Sequence, residues 1–263
     1  LAILIGIGVP GWPAFMVLQG ILLAFLFNLE HECTHKTPFK TEWINEWAGR
    51  ITGFLIFQPF LWFRYFHLAH HRHTNDPEKD PELLGKPKPK SWVEYAVFLS
   101  SILYWRGKVV TLFQNARGTA PGEFIPKSAF ARIRLEARIS LALYILILVL
   151  SISVTTILLW VWIIPLCIGN PVLRLYHLAE HGRCPSVDNM FENTRTVFTN
   201  RLVRYFCWNM PFHIEHHTAP NVPFHQLGQL NKLIKQHLIS TSDGYGEFTR
   251  EYAATLTIKG DHN

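Results

Sequence analysis

Two long stretches of the chain carry no charged side chain, residues 1–29 and 139–173. The second has 35 residues. As one straight helix it would be about 52 Å long, whereas the hydrocarbon core of a bilayer is roughly 30 Å thick. Residues 151–156, SISVTT, are polar or β-branched and lie near its middle. We therefore predict two membrane spans joined by a tight turn, with one long kinked helix as the alternative.

The first stretch has the same organisation. Residues 1–9 resemble the end of a span, residues 10–13, PGWP, predict a turn, and residues 14–29 return. The hairpin tips carry no basic residue, whereas the other ends are flanked by several, so the positive-inside rule predicts that these ends are cytoplasmic. The flanking residues are Lys36, Lys40, Arg50, Arg64, Arg72, Arg138, Arg174 and Arg183. Because the chain begins at Leu1 without a signal-like basic stretch, we expect sequence upstream of it.

Two further apolar segments, residues 51–63 and 92–104, are shorter than the roughly 17 to 25 residues needed to cross a bilayer. We predict that they form interfacial or buried helices. The expected fold is an all-α integral membrane bundle of two transmembrane hairpins under a cytosolic helical cap. In this prediction, residues 1–263 form a single domain, with the cap in residues 30–138 and 174–239 and a polar, loosely attached tail in residues 240–263.

The positions of the charged residues determine how the net positive charge is interpreted. Twenty-five Lys and Arg against nineteen Asp and Glu give a net charge of +6, which by itself would admit a nucleic acid or an anionic membrane as partner. All of these charges lie outside the two apolar stretches, so we interpret the excess as a topology signal and predict no nucleic-acid partner. The four cysteines form no CxxC pair, which favours a reducing compartment.

Histidines are the main candidates for chemistry. The chain has fourteen, of which ten fall in four short clusters. On a helix, positions i and i+4, or i, i+3 and i+4, share one face, so each cluster would point its imidazoles in one direction. All four clusters lie on the side predicted to be cytoplasmic. They are His31 and His35; His67, His70 and His71; His177 and His181; and His213, His216 and His217.

The number of clustered histidines predicts more than one metal ion. Neutral imidazole suits zinc, copper, iron and nickel, and a single tetrahedral zinc would use at most four of these residues. Ten candidates instead match two metals with four or five nitrogens each. Two HxxHH and two HxxxH motifs on one predicted membrane face make a purely structural role for them improbable.

Acidic residues near the clusters have several possible roles. Glu32, Glu180 and Glu215 each lie inside a cluster. Each could be a ligand, a partner that fixes an imidazole tautomer, or a charge on the helix surface. We expect the second role for Glu180 and Glu215. Asp76 and Asp80 lie in a proline-containing loop and are expected to be loop and cap residues.

Two other functional classes match part of the pattern. His31, Glu32 and His35 form an HExxH motif, typical of a zinc hydrolase, but this reading leaves eight clustered histidines without a role. A metal transporter should place polar ligands near the bilayer midplane, whereas both apolar stretches contain no histidine and no charge. Both classes therefore rank behind a two-metal enzyme.

The motifs together resemble those of the membrane fatty acid desaturase superfamily, which includes hydroxylases and carotenoid ketolases. HECTH at residues 31–35, HLAHH at 67–71 and HIEHH at 213–217 are similar to its three histidine boxes. YHLAEHG at 176–182 is similar to its additional histidine segment, and PNVP at 220–223 to its PN(I/V)P stretch. The likeness covers most of the chain.

This resemblance implies a di-iron centre held by histidines. At His177 some relatives have Asn, so this chain departs from the pattern there, and His177 is the least secure candidate. The ligands that the resemblance implies are His31, His35, His67, His70, His71, His181, His213, His216 and His217, with His177 as a tenth candidate.

The resemblance also implies an O2-dependent lipid desaturase with O2 as co-substrate. Removing hydrogen from an unactivated methylene requires cofactor chemistry that no side chain supplies alone. The two electrons for each turnover would come from a separate carrier such as ferredoxin or cytochrome b5, since neither a haem motif nor a ferredoxin cysteine set is present. A hydroxylase or ketolase of the same superfamily is the alternative, because the ligand set does not separate the two outcomes.

The predicted topology can be tested with two lysines far apart in the sequence. Lys36 follows the first histidine cluster and Lys232 follows the last. We expect an impermeant amine reagent to label both only from the cytosolic side, because the positive-inside rule places both there. Labelling of the two lysines from opposite sides, read by peptide mass spectrometry, would contradict this topology.

Overall fold

The computed structural model describes residues 1–84, 87–119 and 122–258 and is built almost entirely of helices. The first half of the described chain contains α1 (Ala2–Gly6), α2 (Trp12–Ala24), α3 (Leu26–His35), α4 (Glu42–Leu55), α5 (Phe60–Arg72), α6 (Trp92–Leu99) and α7 (Ile102–Arg117). The second half contains α8 (Phe130–Ser153), α9 (Ile164–His181), α10 (Met190–Asn193), α11 (Arg201–Phe206), α12 (His213–Thr218), α13 (Leu227–Ile234) and α14 (Tyr245–Ala253). A π-helical turn, Leu159–Ile163, precedes α9, and β1 (Thr196–Val197) pairs in parallel with β2 (Thr241–Ser242).

Three helical segments of the described chain are long and apolar enough to cross a membrane. They are Trp12–His35, Lys127–Ser153 and Leu159–His181. The break predicted inside the second apolar stretch is present, because α8 ends at Ser153 and helical structure resumes before Leu159. These segments fit a membrane protein.

The segments that follow each other in the chain are not the ones that pack most closely. α9 packs mainly against α2, whereas α8 packs mainly against α7. Glycines allow the first of these contacts: a Cβ added to Gly169 would lie 2.1 Å from the carbonyl carbon and oxygen of Gly20. Small residues let the backbones of membrane helices approach in this way. The α2–α9 contact therefore depends on both glycines.

This contact sets the height of two histidine clusters. From Gly20 to His31 the chain advances eleven residues along α2 and α3, and from Gly169 to His181 it advances twelve along α9. At 1.5 Å per residue these distances are about 16 and 18 Å. Two helices that touch at their glycines therefore bring both histidine clusters to the same end of the bundle.

Residues 51–63 do not form the single short helix predicted for them. Instead, α4 ends at Leu55 and α5 begins at Phe60. Phe57 between them has a left-handed backbone with φ of 60°, and Pro59 has no N–H to continue a helix. The apolar run is therefore the connection between two helices, which hydrophobicity alone does not distinguish from one helix.

Side chains from three other helical segments satisfy the carbonyl groups that α4 leaves free at its end. Such groups lack a partner within the helix and need one from elsewhere when they are buried. The donors are the Tyr144 hydroxyl to the Phe54 carbonyl at 2.6 Å, the Trp162 indole N–H to the Leu55 carbonyl at 2.7 Å, and the Lys108 ammonium to the Ile56 carbonyl at 2.7 Å.

The prediction of one short helix over residues 92–104 is also wrong. α6 ends at Leu99, Ser101 takes a left-handed backbone with φ of 62°, and α7 continues to Arg117. The two helices are bent by 53° and together meet the length and composition of a fourth, broken span. Charged residues within α7 hide this possibility from a search for uninterrupted apolar runs.

The C-terminal segment is packed rather than loosely attached, which corrects the prediction for residues 240–263. β2 pairs with β1, and α14 buries Phe248 and Tyr252, which are 0% and 3% exposed. Residues 259–263 of the predicted tail lie outside the described residues. The two buried aromatic side chains are one helical turn apart, so they act as an anchor in an otherwise polar sequence.

A substitution at the helix contact should change stability strongly. We expect Gly169→Ala to destabilise the protein by roughly 1–3 kcal/mol, because the new methyl group would force the α2 and α9 backbones apart. Gly107→Ala is the matched control, since a Cβ at Gly107 meets nothing within 4 Å. Thermal denaturation in detergent, followed by size-exclusion chromatography, measures both. Equal denaturation temperatures for the two variants would contradict the close contact.

Candidate metal centre

All four histidine clusters lie at or near helix termini that meet at one end of the bundle. The HECTH residues form the last turns of α3, and the HLAHH residues form the last turns of α5. The third cluster is at the end of α9, and the fourth makes up most of the short helix α12. The convergence predicted from the sequence is therefore present in the fold.

Five histidines form a first group. One ring nitrogen from each of them lies within 4.8 Å of the corresponding nitrogens of the other four. The Nε2 atoms of His35 and His67 are 2.9 Å apart, and those of His71 and His216 are 3.2 Å apart. The members are His31, His35, His67, His71 and His216, which come from three separate helices.

Three further histidines, His70, His181 and His217, form a second group with the same spacing limit of 4.8 Å. All three are buried. His213 adjoins this group, since its Nε2 atom is 3.1 Å from Nε2 of His217. The second group thus has three members and an immediate neighbour.

The two groups are adjacent. The ring of His71 in the first group stacks on the ring of His217 in the second, with centroids 4.0 Å apart and planes 7° apart. His70 and His71 are consecutive in α5 and belong to different groups. One HxxHH helix therefore contributes to both, as does α12 through His216 and His217.

His177 lies outside both groups. Its ring packs against the ring of Phe27 with centroids 4.4 Å apart. Its Nε2 atom is buried and has no hydrogen-bond partner within the described part of the chain. The α9 cluster therefore brings His181, but not His177, to the nitrogen groups.

Asp80 orients an imidazole in addition to holding its own loop, which the sequence analysis did not predict. Both of its carboxylate oxygens lie 2.9 Å from Nδ1 of His70. The carboxylate also accepts hydrogen bonds from the backbone N–H groups of Asn75 and Glu82 at 2.8 and 2.9 Å. The expected loop role is thus confirmed, and contact with His70 is added to it by the fold.

Glu32 lies between two histidines of the first group. One carboxylate oxygen is 3.7 Å from Nδ1 of His31 and 3.6 Å from Nδ1 of His216. The other oxygen accepts hydrogen bonds from the Thr37 hydroxyl and the Phe224 backbone N–H. Because Glu32 faces Nδ1 atoms, it lies on the outer side of the rings rather than where the Nε2 atoms meet.

The two remaining acidic residues of the clusters, Glu180 and Glu215, differ in the side chains that they contact. The Glu180 carboxylate lies beside the His213 ring, 3.6 Å from Nδ1 and beyond hydrogen-bond distance, so its predicted role in orienting that imidazole stays a prediction. The prediction for Glu215 is wrong, because its carboxylate accepts hydrogen bonds from Thr196 and Asn231 instead. Those two residues are distant in sequence from the α12 cluster, so no local pattern indicates them.

Two residues that the sequence analysis missed hold the outer nitrogens of the second group. The Thr74 hydroxyl lies 3.0 Å from Nδ1 of His217. The Asn193 carbonyl lies 3.1 Å from Nδ1 of His181 and accepts a hydrogen bond from that ring. Thr74 is three residues after the HLAHH motif, and this proximity in sequence is a weak indication that it contacts the histidine site.

Burial determines the protonation state of most of these rings. It lowers the pKa values of His67, His71, His216 and His217 well below the usual value, because the low-dielectric surroundings disfavour the imidazolium form. The neighbouring histidines add to this effect. Neutral imidazole is the form that binds metal ions.

His70 behaves differently. Burial opposes its protonation, but the negative charges of Glu82 and Asp80 outweigh burial and raise the pKa of His70. A carboxylate on the outer nitrogen of a ligating imidazole also raises its basicity toward the metal. In the second group, His70 therefore has a carboxylate, that of Asp80, on its outer nitrogen.

The donor set fits histidine-bound metal ions. Two nitrogens bound at right angles to a metal at about 2.1 Å are roughly 3 Å apart, which matches the Nε2 separations of 2.9, 3.1 and 3.2 Å. Carboxylates, a hydroxyl and a carbonyl lie on the Nδ1 side of several rings, as is common where Nε2 binds a metal. An all-imidazole set suits iron, copper, zinc and nickel.

Comparison with known proteins agrees with this geometry. The family model described as fatty acid desaturase matches residues 10–248, which include all four histidine clusters. The chain belongs to the fatty acid desaturase family. The relatives that match part of the chain are named as desaturases and conjugases.

Several plant and cyanobacterial relatives match part of this desaturase-family chain. Fatty acid conjugase FAC2 B of Calendula officinalis is 33% identical over 90 residues, 34% of the chain and 24% of the relative. The Delta(12)-acyl-lipid-desaturase of Punica granatum is 30% identical over 79 residues, which are 30% of the chain and 20% of the relative. The sn-1 oleoyl-lipid 12-desaturase of Arthrospira platensis is 34% identical over 79 residues, which are 29% of the chain and 22% of the relative. The chain thus spans about a quarter or less of the length of these relatives.

The positions of the HExxH residues can be compared with what a zinc hydrolase would require. His31 and His35 of the HExxH motif share one group with three further histidines from α5 and α12. Glu32, which would be the general base, faces the outer sides of His31 and His216. The motif is thus one part of a larger desaturase-family cluster.

Removal of the Asp80 charge should weaken metal binding at the second group. We expect Asp80→Asn to lower metal affinity about 10- to 100-fold, because His70 loses the carboxylate that orients its ring. Glu78→Gln is the matched control, since Glu78 is an exposed residue of the same loop. Competition with a chelator, followed by metal analysis, measures the affinities. Unchanged metal retention in Asp80→Asn would show that this contact does not support the site.

Proposed function

We propose that the chain is an O2-dependent di-iron lipid desaturase that introduces a C=C bond into an acyl chain. The observation that carries the proposal is the pair of adjacent buried histidine groups at one end of a bundle with membrane-spanning character. Family membership and the names of the relatives support the same reaction class.

The proposed ligands follow the two groups. The five-membered group would hold one iron, and His70, His181 and His217, with His213 beside them, would hold the other. His177 is not part of the proposed set, because its ring lies outside both groups. Nine histidines then serve two irons, which equals the number that the resemblance of the motifs implies.

Bound iron would supply O2 activation, which makes it possible to remove hydrogen from an unactivated methylene. The side chains of the protein would bind the irons, orient the imidazole ligands and shield the site from water. Asp80, Glu32 and Glu180 lie on the outer sides of imidazoles, and Asp80 is within hydrogen-bond distance of His70. Seven of these nine histidines are buried, which keeps bulk water away from them and limits side reactions of a strong oxidant.

The membrane supports a lipid as the substrate. The segments that end at His35 and His181 are candidate spans, so the histidine groups lie at the ends of apolar helices. An acyl chain could reach such a site from the bilayer without exposure to water. We further propose that the histidine end faces the cytosol, where a separate carrier such as ferredoxin or cytochrome b5 would deliver electrons.

Product analysis tests the reaction. We expect expression in a host of known lipid composition to yield acyl chains lighter by two hydrogens, only when O2 is present, and purified protein to contain about two irons per chain. Mass spectrometry of lipid extracts and metal analysis measure these quantities. Products that gain an oxygen atom would indicate a hydroxylase instead, and one zinc with no iron would remove the oxidative function.

A pair of variants links the product to the histidine groups. His216→Ala should abolish the new alkene and lower the iron content, because His216 belongs to the first group. His237→Ala, at an exposed histidine distant from both groups, should leave both measurements unchanged. Membrane insertion of both variants is checked by fractionation.

A further inference from the structure

Two cationic side chains meet at the end of α9, the helix that delivers a histidine to the second group. α9 ends at His181. The last carbonyl groups of a helix have no partner within it, and buried ones need donors from elsewhere. Arg195, directly before β1, and Lys88, in the loop between α5 and α6, supply such donors. Their positive charges also match the negative pole of the helix dipole.

Arg195 holds three carbonyl groups of this helix end. Its guanidinium donates to the carbonyl of Ala179 at 3.0 Å and to that of Gly182. Its backbone N–H donates to the carbonyl of Glu180 at 2.8 Å. Arg195 is 7% exposed, and its guanidinium carbon lies 4.9 Å from the centroid of the Phe248 ring. The buried anchor of α14 thus contacts the residue that caps α9.

Lys88 contacts the carbonyl of the histidine itself. Its ammonium donates to the His181 carbonyl at 2.6 Å and to Oδ1 of Asn75 at 2.5 Å. The Nδ2 atom of Asn75 in turn donates to the carbonyls of Cys184 and Pro185, both at 2.9 Å. Lys88 and Asn75 therefore join the loop between α5 and α6 to the end of α9 and to the residues that follow it.

The same loop contacts the other two members of the second group. The Thr74 hydroxyl lies 3.0 Å from Nδ1 of His217. The Asp80 carboxylate lies 2.9 Å from Nδ1 of His70. The backbone N–H of Asn75 donates to that carboxylate at 2.8 Å. One loop is thus bonded to all three residues of the second group, through two rings and one carbonyl.

From this arrangement we propose that Lys88 is a positioning residue for the metal ion of the second group. Its two bonds fix the end of α9 against the loop that holds the rings of His70 and His217, so the three imidazoles keep their separation. The inference rests on the proposed function, which supplies the iron. It applies to one ion of the two, because the first group has no member on α9.

Iron release from the purified, iron-loaded protein to a coloured chelator tests this role. We expect Lys88→Met to accelerate the loss of one of the two irons about tenfold, which is typical when an outer partner of a metal ligand is removed, and to leave the other unchanged. Lys88→Arg should restore part of the retention, because it keeps a cationic donor. Lys90→Met, at an exposed lysine two residues later, is the matched control and should release both irons at the original rates.

Two further variants separate positioning from a general loss of stability. Asn75→Asp keeps the acceptor for Lys88 and removes the amide donors. Asp tolerates the left-handed backbone of Asn75, with φ of 61°, so this variant should fold and should lose the same iron faster even if Lys88→Met fails to fold. Combining Lys88→Met with Asp80→Asn should accelerate release by less than the product of the two single effects, because both changes act on one group.

Three results would overturn the inference. They are equal acceleration for both irons, unchanged release in both Lys88→Met and Asn75→Asp, and a double variant whose effect equals the full product. Release to a chelator needs neither O2 nor a lipid, so selective loss of one iron from a protein that forms no alkene would count against the proposed function and not against the role of Lys88.

Discussion

The structure depends on holding neutral imidazole nitrogens about 3 Å apart in a buried site. Two imidazole nitrogens this close need either a shared proton or a metal ion between them, and the surrounding protein holds several of the rings in place. Asp80, Thr74 and the Asn193 backbone carbonyl do so from the Nδ1 side. Burial keeps several of the rings neutral, which is the form of imidazole that can bind a metal ion.

Helix packing supplies the second requirement, which is that distant clusters reach the same height. The glycine contact between α2 and α9 brings the ends of both helices to one side of the bundle. The carbonyl groups at the end of α4 are held by Tyr144, Trp162 and Lys108, which ties the α4–α5 connection to other helical segments. α5 then begins at a defined position and delivers histidines to both groups.

An apolar groove lies between the first candidate span and residues 204–209, and its lining residue Phe224 donates its backbone N–H to Glu32. The lining of this groove therefore adjoins a carboxylate that lies beside the first histidine group. A side chain of this lining, Trp208 with its left-handed backbone at φ of 53°, is held in an unusual conformation for a bulky residue. Such conformations are concentrated at functional sites.

The amino-acid sequence alone determined the family, the membrane character and the histidine clusters, because apolar runs and i, i+4 spacing are local properties of the chain. It did not divide the clusters into groups: His70 and His71 are neighbours in sequence but serve different groups, and His177 lies outside both. Local patterns also failed for residues 51–63 and the packed α14, since partner choice there depends on distant residues. Only the tertiary structure decided which nitrogens meet, because that depends on how helices cross and which carboxylates reach the outer sides of the rings.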